Sequence, residues 1–335
     1  MSAPDHRLAE LLADAVEPVE PSYRLGVIRA AVHPAPRRRW RPALVAAAGT
    51  AAVLVALVVV GGQVLPDRSG PAVPSTATGT SVAVYYVGDT EGAGPRLFRE
   101  FRRLPASDRL DAAVQAAVGR SPDGAASEPL DPDYRSAWPA GTTAEASFDG
   151  VGPAGEFTID LGSGVEGSLR ERPTGMGAAE AAMAVEQLVW TAQAAGQVRA
   201  PVRILLDGEI TDQVLGVPAS EPLARGAALQ VLNLASITSP AQGATVTGDT
   251  LEVTGVANSF EATVGWELLR EGEPVRDGYA TTEGWMEERL FPFTTLIDVA
   301  GLAPGDYTLV VSTGDPSTGG EGRGPMRDTR DVTIE

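Results

Sequence analysis

The feature that most constrains this chain is an uncharged run of 23 residues, from Ala43 to Leu65. Its only polar side chains are Thr50 and Gln63. A helix rises about 1.5 Å per residue and needs about 20 apolar residues to cross the hydrocarbon core of a bilayer. We therefore expect residues 43–65 to form a transmembrane helix.

The charges on either side of this run predict its orientation. The segment RRRWR (37–41) precedes it, whereas the segment PDR (66–68) follows it. Cytoplasmic flanks carry the excess of arginine, so we expect a single-pass helix with residues 1–42 in the cytoplasm and the rest outside the cell membrane. The alternatives are a cleaved signal peptide and a buried core helix. The apolar stretch of a signal peptide is only about 7–15 residues long, and a core helix is not normally uncharged on every face over such a length.

Net charge excludes one class of partner. Residues 66–335 contain 19 arginines and 39 acidic residues, a net charge of −20, whereas residues 1–41 carry +2. A strongly acidic surface repels polyanions, so we expect no binding to nucleic acid. The chain has no cysteine and therefore no disulfide or thiolate ligand.

The segments that flank the predicted membrane helix show either a weak helical pattern of apolar residues or no such pattern. In the tail, residues 7–17 place Leu8, Leu11 and Leu12 on one face of a short amphipathic helix. Such a helix is too short to be stable alone, and it lies against the membrane or docks on a cytoplasmic partner. Residues 66–80 are rich in Pro, Ser, Thr and Gly, which predicts a flexible linker.

Residues 81–236 alternate between strand-like and helix-like patterns in the order β-β-α-β-β-α-β. We expect an α+β sandwich with one sheet and helices packed on a single face. Ser107 or Asp108 is expected to cap the first helix, and Gly196 to stop the second. The predicted strands are 81–87, 97–104, 144–149, 155–161 and 202–208, and the second helix is 177–195.

Residues 237–335 change character to short strand-like runs separated by turn residues about every 8–12 positions. No helical periodicity interrupts them. This spacing predicts an all-β sandwich of the immunoglobulin type.

Both units resemble known modules. Residues 81–236 resemble a GerMN domain of the GerM family of sporulation and spore-germination proteins, through VAVYYV, DAAVQAAVGR, WPAGTTAEASFDG, FTIDL, EQLVWTA and RILLDGE. Residues 237–335 resemble the bacterial immunoglobulin-like domain linked to spore germination, through SPAQGATVTGDTLEVTGVANSFEATVGWELL, FPFTTLIDV and GDYTLVV. The resemblance implies a non-catalytic envelope protein with no catalytic residues. Many relatives are lipoproteins with a lipid-modified cysteine, which this chain lacks.

A glycine pattern raises the question of nucleotide binding. Gly162, Gly164 and Gly167 follow a predicted strand with the spacing G-x-G-x-x-G. In a dinucleotide site the third glycine packs at the start of a helix, within a parallel βαβ unit. Here the next helix is expected only near residue 176, and the preceding hairpin does not supply a βαβ unit. We therefore expect a flexible loop and no nucleotide or other cofactor.

Residue types exclude most catalytic and metal chemistry outside the membrane. The two histidines are His6 and His33, and the chain has no cysteine or lysine. Triads, Schiff bases and His- or Cys-ligated zinc are therefore excluded there. Three loops with carboxylates, 131–136, 207–212 and 314–328, lack the spacing of an EF-hand and are expected to be solvated acidic turns that bind no metal. We expect no enzyme activity.

Aromatic residues are the remaining candidates for a binding surface: Trp138, Trp266, Tyr279 and Trp285. Trp266 is expected in the core and Trp285, in TTEGWMEE, is the best candidate for an exposed contact. Three functions stay open. The chain binds another envelope protein or organises an assembly, it binds cell-wall glycan, or it signals across the membrane like an anti-sigma factor.

Overall fold

A computed structural model of the chain describes residues 79–163, 168–314 and 324–335. All of these residues belong to one compact unit, Val73–Glu335. The predicted cytoplasmic tail, the predicted span 43–65 and nearly all of the predicted linker lie outside the described residues. Across the described ranges, every helix is too short or too polar to traverse a bilayer.

The first part of the unit, which we call the α+β part, runs from Thr80 to Val231 and contains the predicted order of elements. Short strands and one helical turn follow its main elements. The main elements are β1 (Thr80–Thr90), β2 (Gly94–Leu104), α1 (Arg109–Ala117), β3 (Thr142–Asp149), β4 (Glu156–Ser163), α2 (Ala178–Gly196) and β5 (Val202–Leu206). The shorter ones are β6 (Glu209–Ile210), β7 (Gln213–Val214), β8 (Val217–Pro218) and α3 (Ala228–Val231).

The prediction of one sheet with helices on a single face is wrong. Strands β1 and β2 form a separate antiparallel hairpin, and the larger sheet has the order β3-β4-β5-β6. Helix α2 lies between them: the Tyr85 backbone N–H of β1 donates to Thr191 Oγ1 at 3.0 Å, while Gly196 lies against the Phe157 ring of β4. A helix with sheet on both sides is buried around most of its circumference, which explains why Gln187 and Thr191 are buried with the apolar residues.

Helix α2 ends in a different way from the prediction. Gly196 is its last residue, and Gln197 adopts the left-handed conformation that terminates it, with φ of 56°. A Cβ atom on Gly196 would lie 2.5 Å from Phe157 Cζ. Close packing against Phe157 therefore explains this glycine, rather than the backbone conformation at the helix end. Asp108 occupies the N-cap position of α1, but its side chain makes no capping hydrogen bond.

The second part, which we call the sandwich part, runs from Ala235 to Ile334 and forms the predicted all-β sandwich. One sheet has the order β10-β16-β15-β12-β13 and the other has the order β14-β11-β9. Val253, Leu268, Phe293 and Leu309 belong to a core separate from that of the α+β part. The strands are β9 (Ala235–Ser239), β10 (Ala244–Val246), β11 (Thr250–Ala257), β12 (Thr263–Arg270), β13 (Glu273–Thr281), β14 (Phe291–Asp298), β15 (Gly305–Thr313) and β16 (Arg327–Ile334).

Candidate functional site

Four polar residues meet in the interior where the α+β part contacts the sandwich part. We call Asp131, Tyr134, Asp328 and Arg330 the junction cluster. Asp131 and Tyr134 lie in the loop between α1 and β3, and Asp328 and Arg330 lie on β16. All four side chains are buried, with exposed fractions between 2% and 6%.

Arg330 is the centre of the junction cluster. Its Nη1 atom forms ion pairs with Asp131 and Asp328 and donates a 2.7 Å hydrogen bond to the Tyr134 hydroxyl. The Tyr134 hydroxyl in turn donates to Asp328. Asp328 also accepts from the backbone N–H of Ile237 at 2.6 Å. Most of these polar groups are thus partnered by groups from both parts, as burial requires.

The charges of the cluster do not balance, because two carboxyl groups share one guanidinium. Burial raises the pKa of Asp131 to about 6, although Asp133 N–H and Arg330 oppose this rise. Burial also raises the pKa of Asp328. Burial alone would lower the pKa of Arg330, but Asp328 and Tyr134 raise it overall, so the guanidinium stays charged.

Further contacts extend the junction on both sides of the cluster. The backbone N–H of Asn233 donates to Leu97 O at 2.9 Å. This hydrogen bond joins β2 to the segment that connects the two parts. The Asn233 side chain donates to Arg327 O at 2.9 Å, and its Oδ1 accepts from Thr90. Thr329 Oγ1 donates to Asp133 Oδ2 at 2.6 Å. A junction held by backbone and side-chain hydrogen bonds restricts movement of one part against the other.

Two of the three acidic loops differ from their prediction as solvated turns. Asp131, from loop 131–136, and Asp328, from loop 314–328, are the two buried carboxyls of the junction cluster. In loop 207–212 the carboxylates lie at the surface, where Asp212 pairs with Arg170. Within the three described ranges, no group of three or more His, Cys, Asp or Glu side chains is arranged to hold a metal ion.

Sequence reasoning missed Tyr134 and Arg330. A signal for Arg330 was present, because Asp328, Arg330, Val332 and Ile334 alternate along β16 and all face inward. Two charged residues on the buried face of a strand require partners of opposite charge.

The candidate aromatic residues do not come together on one surface. Trp138 is buried and donates from Nε1 to Ala184 O at 3.0 Å, so it is a core residue. Trp266 lies on the core face of β12, as predicted. Tyr279 and Trp285 are exposed, and Trp285 makes an edge-to-face contact with Phe260, with ring centroids 5.5 Å apart.

Two loops of the sandwich part hold Phe260 and Trp285, which we call the aromatic pair. Asn258 Nδ2 donates to Glu287 O and Arg289 O, which joins the loop before β12 to the loop before β14. Met286, beside Trp285, is 82% exposed. Exposed apolar side chains on hydrogen-bonded loops are typical of contact surfaces.

The glycine pattern is only partly described, since residues 164–167 lie outside the described ranges. One premise against a nucleotide site was wrong: β4, α2 and β5 do form a βαβ unit with β4 and β5 parallel. Helix α2 nevertheless begins at Ala178, well after Gly167. A dinucleotide fingerprint places its third glycine at a helix start, and the described helix after this segment starts only at Ala178.

Two family models match the chain. Residues 83–212 match a model described as "Sporulation and spore germination", and residues 234–320 match one described as "Immunoglobulin-like domain of bacterial spore germination". These matches show the domain composition that the sequence motifs predicted. Among curated proteins, the sequence comparison finds no match.

Similar solved structures include the tandem GerMN domains of the sporulation protein GerM from Bacillus subtilis, at 17% identity and a TM-score of 0.34. That match covers 67% of this chain and 62% of GerM's, so this chain spans less than two thirds of that relative. An engineered protein matches at 14% identity over 46% of this chain and 36% of its own, with a TM-score of 0.26. An endo-beta-1,4-mannanase from Thermotoga petrophila matches at 10% identity over 47% and 35%, with a TM-score of 0.23. TM-scores this low carry no functional information.

Proposed function

We propose that this chain is a non-catalytic protein of the cell envelope, anchored by residues 43–65, whose α+β and sandwich parts act as one rigid unit that binds another envelope protein. The junction cluster is the observation that carries this proposal. One of its buried ion pairs, Arg330 with Asp131, joins the two parts, and breaking a buried ion pair is strongly unfavourable. The two parts therefore present their outer surfaces to a partner in a fixed relation.

Domain composition and charge support the envelope location. The descriptions of both matched family models name spore germination, and one of them also names sporulation. The excess of arginine before residue 43 favours export of the acidic residues 66–335. A net charge of −20 on that portion keeps it soluble at the membrane surface.

Crosslinking in intact cells, followed by mass spectrometry, tests this proposal. The full chain is compared with a variant lacking residues 2–33, which keeps the RRRWR segment that sets orientation. Envelope proteins crosslinked equally to both versions are the expected result. A cytoplasmic partner that disappears with the tail would overturn the proposal in favour of signalling across the membrane. Replacing Leu8, Leu11 and Leu12 by Asp should then abolish that contact as well.

The aromatic pair favours a second function, the binding of cell-wall glycan. Aromatic rings stack on sugar faces, and Trp285 lies in a loop and is 37% exposed. Retention of the full chain on isolated cell wall, lost in Trp285→Ala, would support this function. Unchanged retention in Trp285→Ala, or no retention of either chain, would exclude a Trp285-dependent glycan site.

A further inference from the structure

One face of the β1–β2 hairpin carries a short cationic strip. Arg99, Phe101 and Arg103 alternate along β2 and therefore share a face. The Arg99 guanidinium lies 4.9 Å from the Phe101 ring centre, which agrees with this arrangement. We call these three residues the arginine strip. Phe101 is 38% exposed and Arg103 is exposed.

Small cross-strand neighbours leave Phe101 and Arg103 uncovered, whereas Arg99 lies opposite Tyr85 and is half-buried. Ala83 lies opposite Phe101, and Ser81 lies opposite Arg103. Neither neighbour is large enough to shield the aromatic ring or the guanidinium from outside. An exposed aromatic side chain beside an exposed arginine combines an apolar contact with a positive charge.

No ion pair of the described residues neutralises the arginine strip. Among the described residues, Arg99 and Arg103 take part in none of the ion pairs, which use other arginines. Arg99 donates to a neutral group, Thr238 Oγ1, at 2.8 Å. This local cationic face contrasts with the net charge of −20 over residues 66–335.

The strip also lies where the chain enters the α+β part. Thr80 begins β1, and the next residue, Ser81, pairs with Arg103. Residues 66–79 separate this point from the predicted span. A flexible linker of that length has a root-mean-square extension of about 20 Å, and about 50 Å when fully extended. The arginine strip is therefore kept at high local concentration near the lipid surface.

We propose that the arginine strip contacts the phosphate groups of the outer leaflet and so sets the orientation of the α+β part at the membrane. This inference rests on the anchor in the proposed function. Anionic lipids attract arginine, whereas the acidic remainder of residues 66–335 is repelled, so the strip is the face that approaches the lipid. Phe101 lies between the two arginines along β2 and makes the apolar contact at the level of the lipid headgroups.

Fluorescence quenching in vesicles tests this inference with the full chain. The chain has no cysteine, so Ser81→Cys provides a single site for a fluorophore beside the strip. The labelled chain is reconstituted into vesicles of phosphatidylcholine, alone or mixed with phosphatidylglycerol, that contain a spin label on the lipid headgroup. As a control, the same fluorophore is attached to Thr250→Cys in the sandwich part, away from the strip.

Stronger quenching at position 81 in the anionic vesicles, and its loss at high salt, is the expected result. Phe101→Ser combined with Arg103→Gln should lower the population in contact by about fivefold or more, because one arginine at an anionic surface accounts for about that factor. The matched control is Val151→Ser with Arg172→Gln, which removes one exposed apolar residue and one exposed arginine outside the hairpin. The control should quench like the unsubstituted chain.

The outcomes separate this inference from the proposed function. Extraction of the chain from vesicles by alkaline carbonate would overturn the anchor, and this inference with it. Retention of the chain with equal quenching in neutral and anionic vesicles, or with equal effects of the two double substitutions, would overturn the inference alone.

Discussion

The guanidinium of Arg330 forms a buried ion pair with the carboxylate of Asp131, 199 positions earlier in the chain. One residue belongs to β16 of the sandwich part and the other to a loop of the α+β part. The contact therefore joins two parts that have separate hydrophobic cores. Its strength contributes to how far those cores unfold together.

Replacing Arg330 should destabilise the chain more than any surface substitution. Arg330→Gln leaves Asp131 and Asp328 buried without a cation, which costs about 3–5 kcal/mol. Urea unfolding followed by tryptophan fluorescence should show a lower midpoint. The transition should also be less cooperative, because the α+β and sandwich parts lose the central one of the contacts that couple them.

Arg327→Gln is the matched control for this prediction. Arg327 lies on the same strand, but its side chain is exposed, so the free energy of unfolding should change by about 0.5 kcal/mol or less. Similar effects of the two substitutions would mean that the junction cluster contributes little to stability.

Stability should also depend on the protonation of Asp131. The native pKa of about 6 lies above the ordinary value of 3.8, so the native chain binds this proton more tightly than the unfolded chain. The stability linked to Asp131 is therefore complete below about pH 4 and falls by about 3 kcal/mol as the pH rises to about 6. Asp131→Asn should remove this pH dependence, as measured by unfolding at several pH values. A linked stability that rises with pH would instead show that Arg330 lowers the pKa.

Two strand glycines should respond differently to alanine. A Cβ on Gly255 would lie 2.4 Å from Phe293 Cζ and 2.5 Å from Ser236 O, so Gly255→Ala should cost about 2–3 kcal/mol through overpacking. A Cβ on Gly265 meets the rotatable Ser312 Oγ at 3.1 Å. Gly265→Ala should change the unfolding free energy by about 1 kcal/mol or less. Thermal unfolding of both variants measures the difference, and equal losses would contradict the packing described for Gly255.

Two tryptophans should likewise separate core packing from surface contact. Trp138→Ala removes a buried ring and its hydrogen bond to Ala184 O, at a cost of about 3–5 kcal/mol. Trp285→Ala removes a ring that is 37% exposed, and its cost should stay below about 2 kcal/mol. Denaturant midpoints measure both effects. A large loss of stability in Trp285→Ala would argue that its ring is structural rather than a ligand contact.

Local patterns were sufficient to predict most of the longer strands and helices. The Val- and Tyr-rich run at 81–87 became β1, and the alternation in TLEVTGVA became β11, because one face of each strand is buried. Apolar spacing also predicted α2 almost to its ends. These features depend on neighbours within a few residues, which the sequence displays directly.

Contacts between distant residues were harder to predict. The sequence around Asp131 predicted a solvated turn, because the arginine that pairs with Asp131 lies on β16, far along the chain. The separation of the hairpin from the larger sheet was missed for a related reason. Gln187 and Thr191 lie outside the apolar stripe of α2, and only the elements on both sides of the helix explain why they are buried.

The ion pair at the junction also has a consequence for synthesis of the chain. The ribosome makes Asp131 first and reaches Arg330 only 199 positions later. Translation adds about 5–20 residues per second, so Arg330 is synthesised about 10–40 seconds after Asp131. During that interval the carboxyl either remains hydrated or takes up a proton. The nascent α+β part thus emerges with its final contact surface still open to water.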